Sequence, residues 1–263
     1  MKRTKLDLSM LVALLGGVAI LVGAQLIDGA SLRALWQPTA ALVVFGGTAV
    51  AVFISYPVSV VMHTGAALRQ TFVRRAQPVE LLLNRFFAYS QQSRRAGLLS
   101  LESEINSAPD QFLRRGLGLV VDGTTAEMCR QILEIESHTL REAAEQPAEV
   151  LETAAGYAPT LGILGAVLGL IHTMDSLTDP SRLGAGIAVA FVATVYGVGS
   201  ANLLLLPLAT KLRGLARQAA MSREVIIEGI VALQQGVNPR MLDQKLRGFV
   251  VNPPTERRSW RVA

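Results

Sequence analysis

Cysteine is almost missing from this chain. With Cys129 as its one thiol among 263 residues, no intramolecular disulfide can form, and neither a zinc cluster nor a thiol pair can be assembled. Charge is sparse as well: 17% of residues are Asp, Glu, Lys or Arg, gathered in a few blocks between long stretches that hold none. That distribution is the one membrane spans require. The three histidines, His63, His138 and His172, lie far apart and share no metal-ligand spacing. No phosphate-binding loop occurs, nor a nucleophile with a base, so an enzyme is not expected and no cofactor or metal is called for. The net charge of +5 does not indicate nucleic acid, because the Lys and Arg residues are scattered and not interleaved with aromatics. Anionic lipid is the expected counterpart.

What the chain has is apolar surface, 51% of residues with a mean hydropathy of +0.39. Four stretches stand out, Leu8–Ile27, Leu35–Tyr56, Ala154–Met174 and Leu183–Leu208, each near the ~20 residues that a spanning helix needs. The start resembles a signal peptide, with Lys2, Arg3 and Lys5 before an apolar run, but that run is long enough to span and lacks a small-x-small cleavage site, so it is expected to be retained. The spans pair as two hairpins through the short polar connections Asp28–Ala34 and Asp175–Arg182, the latter holding the turn-prone Asp179-Pro180. The sequence therefore predicts an all-α polytopic membrane protein with four transmembrane helices and a helical cytoplasmic domain between the second and third. The expected divisions are an N-terminal membrane hairpin over 1–57, a cytoplasmic helical domain over 58–153, a second membrane hairpin over 154–208, and cytoplasmic C-terminal helices and tail over 209–263. In the central domain, Leu81, Leu82, Arg85, Phe86 and Tyr89 fall at helical spacing, as do Ile132, Ile135 and Leu140. The last ten residues, beyond Asn252-Pro253-Pro254, are expected to be disordered.

Orientation follows from positive charge, which is retained in the cytoplasm. Of the 25 Lys and Arg residues, 23 fall in the N-terminus, the central segment and the C-terminal tail; only Arg33 and Arg182 lie in the two short connections. Both termini and the central domain are thus expected on the cytoplasmic side of the inner membrane.

The membrane helices carry small residues on one face. In the third span these are Ala155, Ala158, Gly162, Gly165, Ala166, Gly169 and Thr173; in the fourth, Gly186, Ala190, Ala193, Thr194, Gly197 and Ala201. Such faces serve either ordinary packing within one subunit or the lining of a pore that holds a partner helix, and both readings stand. Pro159 and Pro207 each remove a backbone donor and favour a bend. The helices run oppositely, so the two prolines are expected at a similar depth, as a hinge or gate. No Asp, Glu, Lys or Arg lies within any of the four spans. A proton path needs a titratable group near mid-membrane, and His172 is too close to the outer end of its span. If ions pass, another chain must bring the carboxylate.

Ala155-Gly-Tyr-Ala-Pro-Thr-Leu-Gly-Ile-Leu-Gly-Ala-Val-Leu-Gly-Leu170, Leu183-Gly-Ala-Gly-Ile-Ala-Val-Ala190 and Thr194-Val-Tyr-Gly197 resemble the signature of MotA-type flagellar stator subunits, in the MotA/TolQ/ExbB proton channel superfamily. Gly46-Gly47-Thr48 with Tyr56-Pro57, Pro207-Leu-Ala-Thr-Lys-Leu212 and Ile227-Glu-Gly-Ile-Val-Ala-Leu-Gln-Gln-Gly-Val-Asn-Pro239 extend the resemblance, in the same order, over nearly the full length. It implies a homo-pentamer around a MotB-type dimer whose membrane helix supplies the channel aspartate, conduction of protons across the inner membrane, and torque on the rotor protein FliG. It assigns conformational coupling to Pro159 and Pro207 and a pore-lining place to Thr194, with Gly162 and Gly169 in the same pathway. In Ser93-Arg94-Arg95-Ala96-Gly97-Leu98-Leu99-Ser100-Leu101-Glu102 it maps the rotor-contacting pair to Arg94 and Glu102.

Sodium-driven relatives place hydroxyl residues where this chain has Ala166 and Ala193. A sodium ion needs several oxygen ligands, so the proton motive force is the expected driver and sodium the lesser one. The alternative is a TolQ/ExbB-like energiser of envelope processes not linked to a flagellum; such proteins have three spans, and the four stretches here favour the flagellar branch.

Overall fold

The structure, a computed structural model, describes residues 8–27, 35–71, 79–174 and 180–249. Among them every regular element is helical. The expectations for the two short inter-span connections, in most of their length, and for the last ten residues fall outside the described residues.

The helices are α1 (Leu8–Ile27), α2 (Pro38–Ser55), α3 (Val58–Thr71), α4 (Val79–Ala96), α5 (Glu102–Ser107), α6 (Gln111–Val121), α7 (Ala126–Met174), α8 (Pro180–Ser200), α9 (Leu206–Gln234) and α10 (Pro239–Arg247). A 3₁₀ turn, Leu98–Leu101, precedes α5. Two π-helical turns interrupt the regular geometry: Leu42–Gly46 within α2, and Ala201–Leu205 joining α8 to α9. Among the described residues, three helical runs are long and apolar enough to cross a membrane: Pro38–Ser55, Ala126–Met174 and Gly186–Gln234.

The chain packs as two compact units, residues 1–75 with 143–215, and residues 76–142 with 216–263. Helices α7 and α9 contribute to both. The first surprise relative to the sequence lies in α7, which holds Pro147 and Pro159 inside one uninterrupted helix of 49 residues. Proline costs a helix one hydrogen bond and a steric adjustment, on the order of 3 kcal/mol in an isolated helix, and packing on both sides of each proline outweighs it.

In the first unit, α2 runs along the hairpin formed by the end of α7 and α8. Val44, in the π-turn of α2, is fully buried with Ala40, Val192 and Ala193. Lower along the same helices, Val52 packs with Val150 and Ala154. Polar pairs close this end: the Tyr56 and Thr153 hydroxyls are 2.9 Å apart, those of Ser55 and Tyr157 3.0 Å. The Arg213 guanidinium donates to Glu152 at 2.6 Å.

The second unit has a conventional aliphatic and aromatic core. Leu82, Phe86 and Tyr89 of α4 meet Leu113 and Leu117 of α6, Leu133 of α7 and Ile226 and Ile230 of α9. The expected spacing in α4 is thus the one that packs, although Leu81 stays exposed. In α7 the expectation fails: Ile135 is 70% exposed, and the buried positions are Cys129 and Leu133. Gly229 is required by close approach, since a Cβ there would lie 2.5 Å from Cε1 of Phe86. At the end of α9, Gly236 adopts φ +64°; Asn238 then caps α10, its side chain accepting from the Arg240 N–H at 3.0 Å with Pro239 in the first turn.

Candidate functional site: the small-residue hairpin and the charged turn

The two small-residue faces meet each other. A Cβ on Gly162 would lie 2.9 Å from the Ala193 carbonyl oxygen and 3.2 Å from Cα of Gly197; on Gly169 it would lie 2.9 Å from the Ala190 nitrogen and 3.1 Å from the Gly186 oxygen. On Gly165 it would press on Cβ of Ala193 at 2.9 Å. At the far end, the Thr173 hydroxyl occupies the space where a side chain at Gly186 would go and donates to the Gly169 carbonyl at 2.9 Å. The end of α7 and α8 are therefore closely apposed over about four turns, with little more than the Ala193 methyl and the Thr173 side chain between their backbones, as small-residue interfaces in membranes allow.

This placement decides what each residue can do. Gly162, Gly169 and Ala193 are buried inside the hairpin, so they set the distance between its helices. Ala166 and Thr194 are only half-buried, at the edge of the contact, and the Thr194 hydroxyl donates to its own helix at Ala190 O, 3.3 Å away. The outward faces are apolar: Ile163, Val167 and Leu170 of α7 and Phe191, Val195 and Val198 of α8 are all exposed.

The prolines are not at one depth. Pro159 touches the closest point of the hairpin, its Cα 3.1 Å from where a Cβ of Gly197 would sit. Pro207 lies ten residues beyond Gly197, about 15 Å along the axis. It is exposed, and its neighbours Leu208 and Ala209 pack with Ala148 and Leu151. The antiparallel argument fails because Pro159 faces Gly197, whereas the residues beside Pro207 face Ala148 and Leu151. Pro207 does have a backbone consequence: the π-turn Ala201–Leu205 immediately precedes it, the local adjustment that relieves a proline ring and a missing donor.

In the second unit, Arg94 and Glu102 flank a tight turn. Arg94 sits in the last turn of α4, Gly97 reverses the chain with φ +82°, and Glu102 opens α5. The Gln92 side chain fixes the turn by donating to the Ser100 carbonyl at 2.7 Å. Both charged residues are exposed; Arg94 donates to the Gly236 carbonyl at 3.3 Å. Neither forms an ion pair among the described residues. They are held on two elements, one either side of a turn.

Glu228 is the electrostatic centre of this unit. Its carboxylate accepts from Arg130 at 2.7 Å and Lys245 at 2.5 Å, tying α7 and α10 to α9. Burial pushes its pKa up, but the two cations outweigh burial and hold it below the usual carboxylate range. Arg130 and Glu228 also border a cleft of about 370 Å³ between α7 and α9.

The sequence matches Motility protein A of Bacillus subtilis at 37% identity over 239 residues, covering 90% of this chain and 88% of the relative. The chain belongs to the MotA family. Residues 104–225 match the MotA/TolQ/ExbB proton channel family. The fold agrees: the flagellar MotAB stator complex of Bacillus subtilis superposes with a TM-score of 0.87 at 33% identity, covering 97% of this chain and 100% of that one. The structure of C. jejuni MotAB gives 0.88 at 28% identity, covering 94% and 98%. This MotA-family chain is accordingly a flagellar-motor stator subunit of the inner membrane, the role that its motifs predict.

The Glu228-Gly229 pair and Asn238-Pro239 lie in one of the stretches that carry the resemblance, and the geometry gives each a role: Glu228 joins three helices, Gly229 admits Phe86, and Asn238 starts α10. Sequence reasoning passed over Tyr196, quoted only inside a motif. A hydroxyl in an apolar span must find a partner, and that signal was available.

Proposed function

We propose that this MotA-family subunit conducts protons together with a MotB-type partner, five copies surrounding a partner dimer whose aspartate serves as the proton carrier. The observation that supports this most directly is the hairpin of α7 and α8. Its small faces are used up against each other, its outward faces are apolar, and the spans hold no Asp, Glu, Lys or Arg. A carboxylate lent by another helix gives such a surface a charge to move.

In this reading α1, an uncharged helix of 20 residues, crosses the membrane as the first span and brings the total to four. Both termini and the second unit lie in the cytoplasm, as the Lys and Arg distribution favours. Pro159 and Pro207 take part in the conformational change that accompanies proton transfer, with Ala166, Thr194 and the buried Gly162, Gly169 and Ala193 shaping the pathway. Arg94 and Glu102 meet the rotor protein FliG. Ala166 and Ala193 offer no side-chain oxygen ligand, which favours protons over sodium.

The test is rotation speed in cells that carry this stator alone with its partner. Speed should collapse with a proton uncoupler and stay constant when sodium is replaced by potassium. Speed that tracks sodium would overturn the proton reading. Ion conduction by the purified subunit without any partner helix would overturn the borrowed carboxylate.

A further inference from the structure

Tyr196 makes three contacts with the second span. Its hydroxyl donates to the Leu35 carbonyl, and the hydroxyl oxygen accepts from the Gln37 N–H at 3.4 Å. Its ring stacks on Phe45, with centroids 5.6 Å apart and planes inclined by 27°. Phe45 belongs to the π-turn Leu42–Gly46, whose Val44 is fully buried against Val192 and Ala193 of α8. Leu35 and Gln37 precede the helix; Gln37 is the N-cap of α2 and has no side-chain cap of its own.

These facts fit together physically. Backbone groups just before a helix have no intrahelical partner, and in or near hydrocarbon each unpaired group is costly. One hydroxyl, acting as donor and acceptor together, serves two of them. A π-turn widens the helix by one residue and re-aims the side chains around it. No proline lies within or just after the π-turn Leu42–Gly46, so its cause is tertiary: Phe45 and Val44 contact α8, and Val43 lies against Gly165 of α7.

We infer that Tyr196 is a latch between the fourth and second spans, a positioning residue through which displacement of α8 during the ion cycle is passed to α2. Ring and hydroxyl grip α2 at two places, the start of the helix and its π-turn. The grip lies three residues from Ala193 and next to Gly197, at the level where α7 and α8 are in backbone contact. Motion at the closest point of the hairpin therefore reaches α2 through a directional lever in addition to the apolar packing of Val44 on Val192 and Ala193.

This inference rests on the stator reading, and its test separates the two. The full chain with Tyr196→Phe is produced with its partner in cells without other stators, and torque is recorded as stators join a bead-loaded motor one at a time. In parallel, hydrogen–deuterium exchange is followed on the purified complex over the segment containing Gln37. Tyr196→Phe keeps the ring and removes both hydrogen bonds. Exchange of that segment should rise at least tenfold, and the torque added per stator should fall to half or less, with unchanged membrane abundance. Phe45→Leu, which removes the stack and keeps the hydroxyl bonds, should fall between the two. Unchanged exchange overturns the latch. A smaller number of torque increments, each of normal size, also overturns it, because Tyr196 then serves assembly alone. If the unaltered chain adds no torque at all, the stator reading fails, and the exchange result still judges the latch.

Discussion

A methyl group on Gly197 would lie 2.5 Å from the carbonyl oxygen of Ala158. No real side-chain carbon approaches a backbone oxygen so closely, and neither partner can yield, since both are backbone in packed helices. Gly197→Ala should therefore push α7 and α8 apart or prevent the hairpin from closing. Overpacking of this kind costs about 1–3 kcal/mol. Gly199, two residues on, has open space at its Cβ position, and Gly199→Ala should be neutral or slightly stabilising. Thermal unfolding of the purified complex in detergent compares them. Equal melting temperatures would mean that the hairpin contact is looser than the geometry shows.

Pro207 offers a different experiment, because it is exposed and its substitution leaves no cavity. Pro207→Leu restores a backbone donor and removes the ring that the π-turn Ala201–Leu205 accommodates. Swimming should be lost while membrane abundance stays at the wild-type level, both measurable in the same cells. Normal swimming would count against a conformational role for this proline.

The small-residue faces were legible in the sequence because helical spacing and residue size suffice to draw them: Gly162, Gly165 and Gly169 align at the 100° step of any helix. What they face was not legible. The same composition serves packing within a chain and packing between chains, and only the Gly162–Ala193 and Gly169–Ala190 approaches distinguish the two. Periodicity misassigned Ile135 for a related reason: in a helix with apolar residues on two sides, spacing cannot say which side meets the core, and Cys129 and Leu133 do so here. The π-turn Leu42–Gly46 depends on neighbours distant in sequence, and the tether of Arg94 to Gly236 spans 142 positions. Neither could be anticipated from local pattern.

Glu228 predicts a pH dependence with a definite sign. Its folded pKa is depressed, so the stability it contributes is present above the ordinary carboxylate value, near 4.3, and is lost as pH falls through the lower folded value. Glu228→Gln removes the charge that Arg130 and Lys245 share and should cost about 2 kcal/mol at neutral pH. The variant's melting temperature should also fall less steeply than the wild type's below about pH 4.5. Parallel pH profiles for the two proteins would show that the ion pairs contribute nothing net.

Arg94 and Glu102 separate interface chemistry from folding. Both are exposed, and the side-chain hydrogen bond of Arg94 to Gly236 is long and solvent-facing. Reversing either charge should change stability by no more than about 0.5 kcal/mol. Torque should nevertheless fall severalfold, because charges at a transient interface govern orientation and encounter, while ion leak through the assembled stator stays unchanged. A combined reversal with the complementary change in the rotor protein should restore part of the torque. If instead Arg94→Glu lowers the melting temperature markedly, the Gly236 tether is its main contribution. In that outcome the torque loss of Arg94→Glu reflects a displaced α10, Glu102 alone keeps a claim to rotor contact, and Glu102→Lys, which touches no tether, becomes the deciding variant.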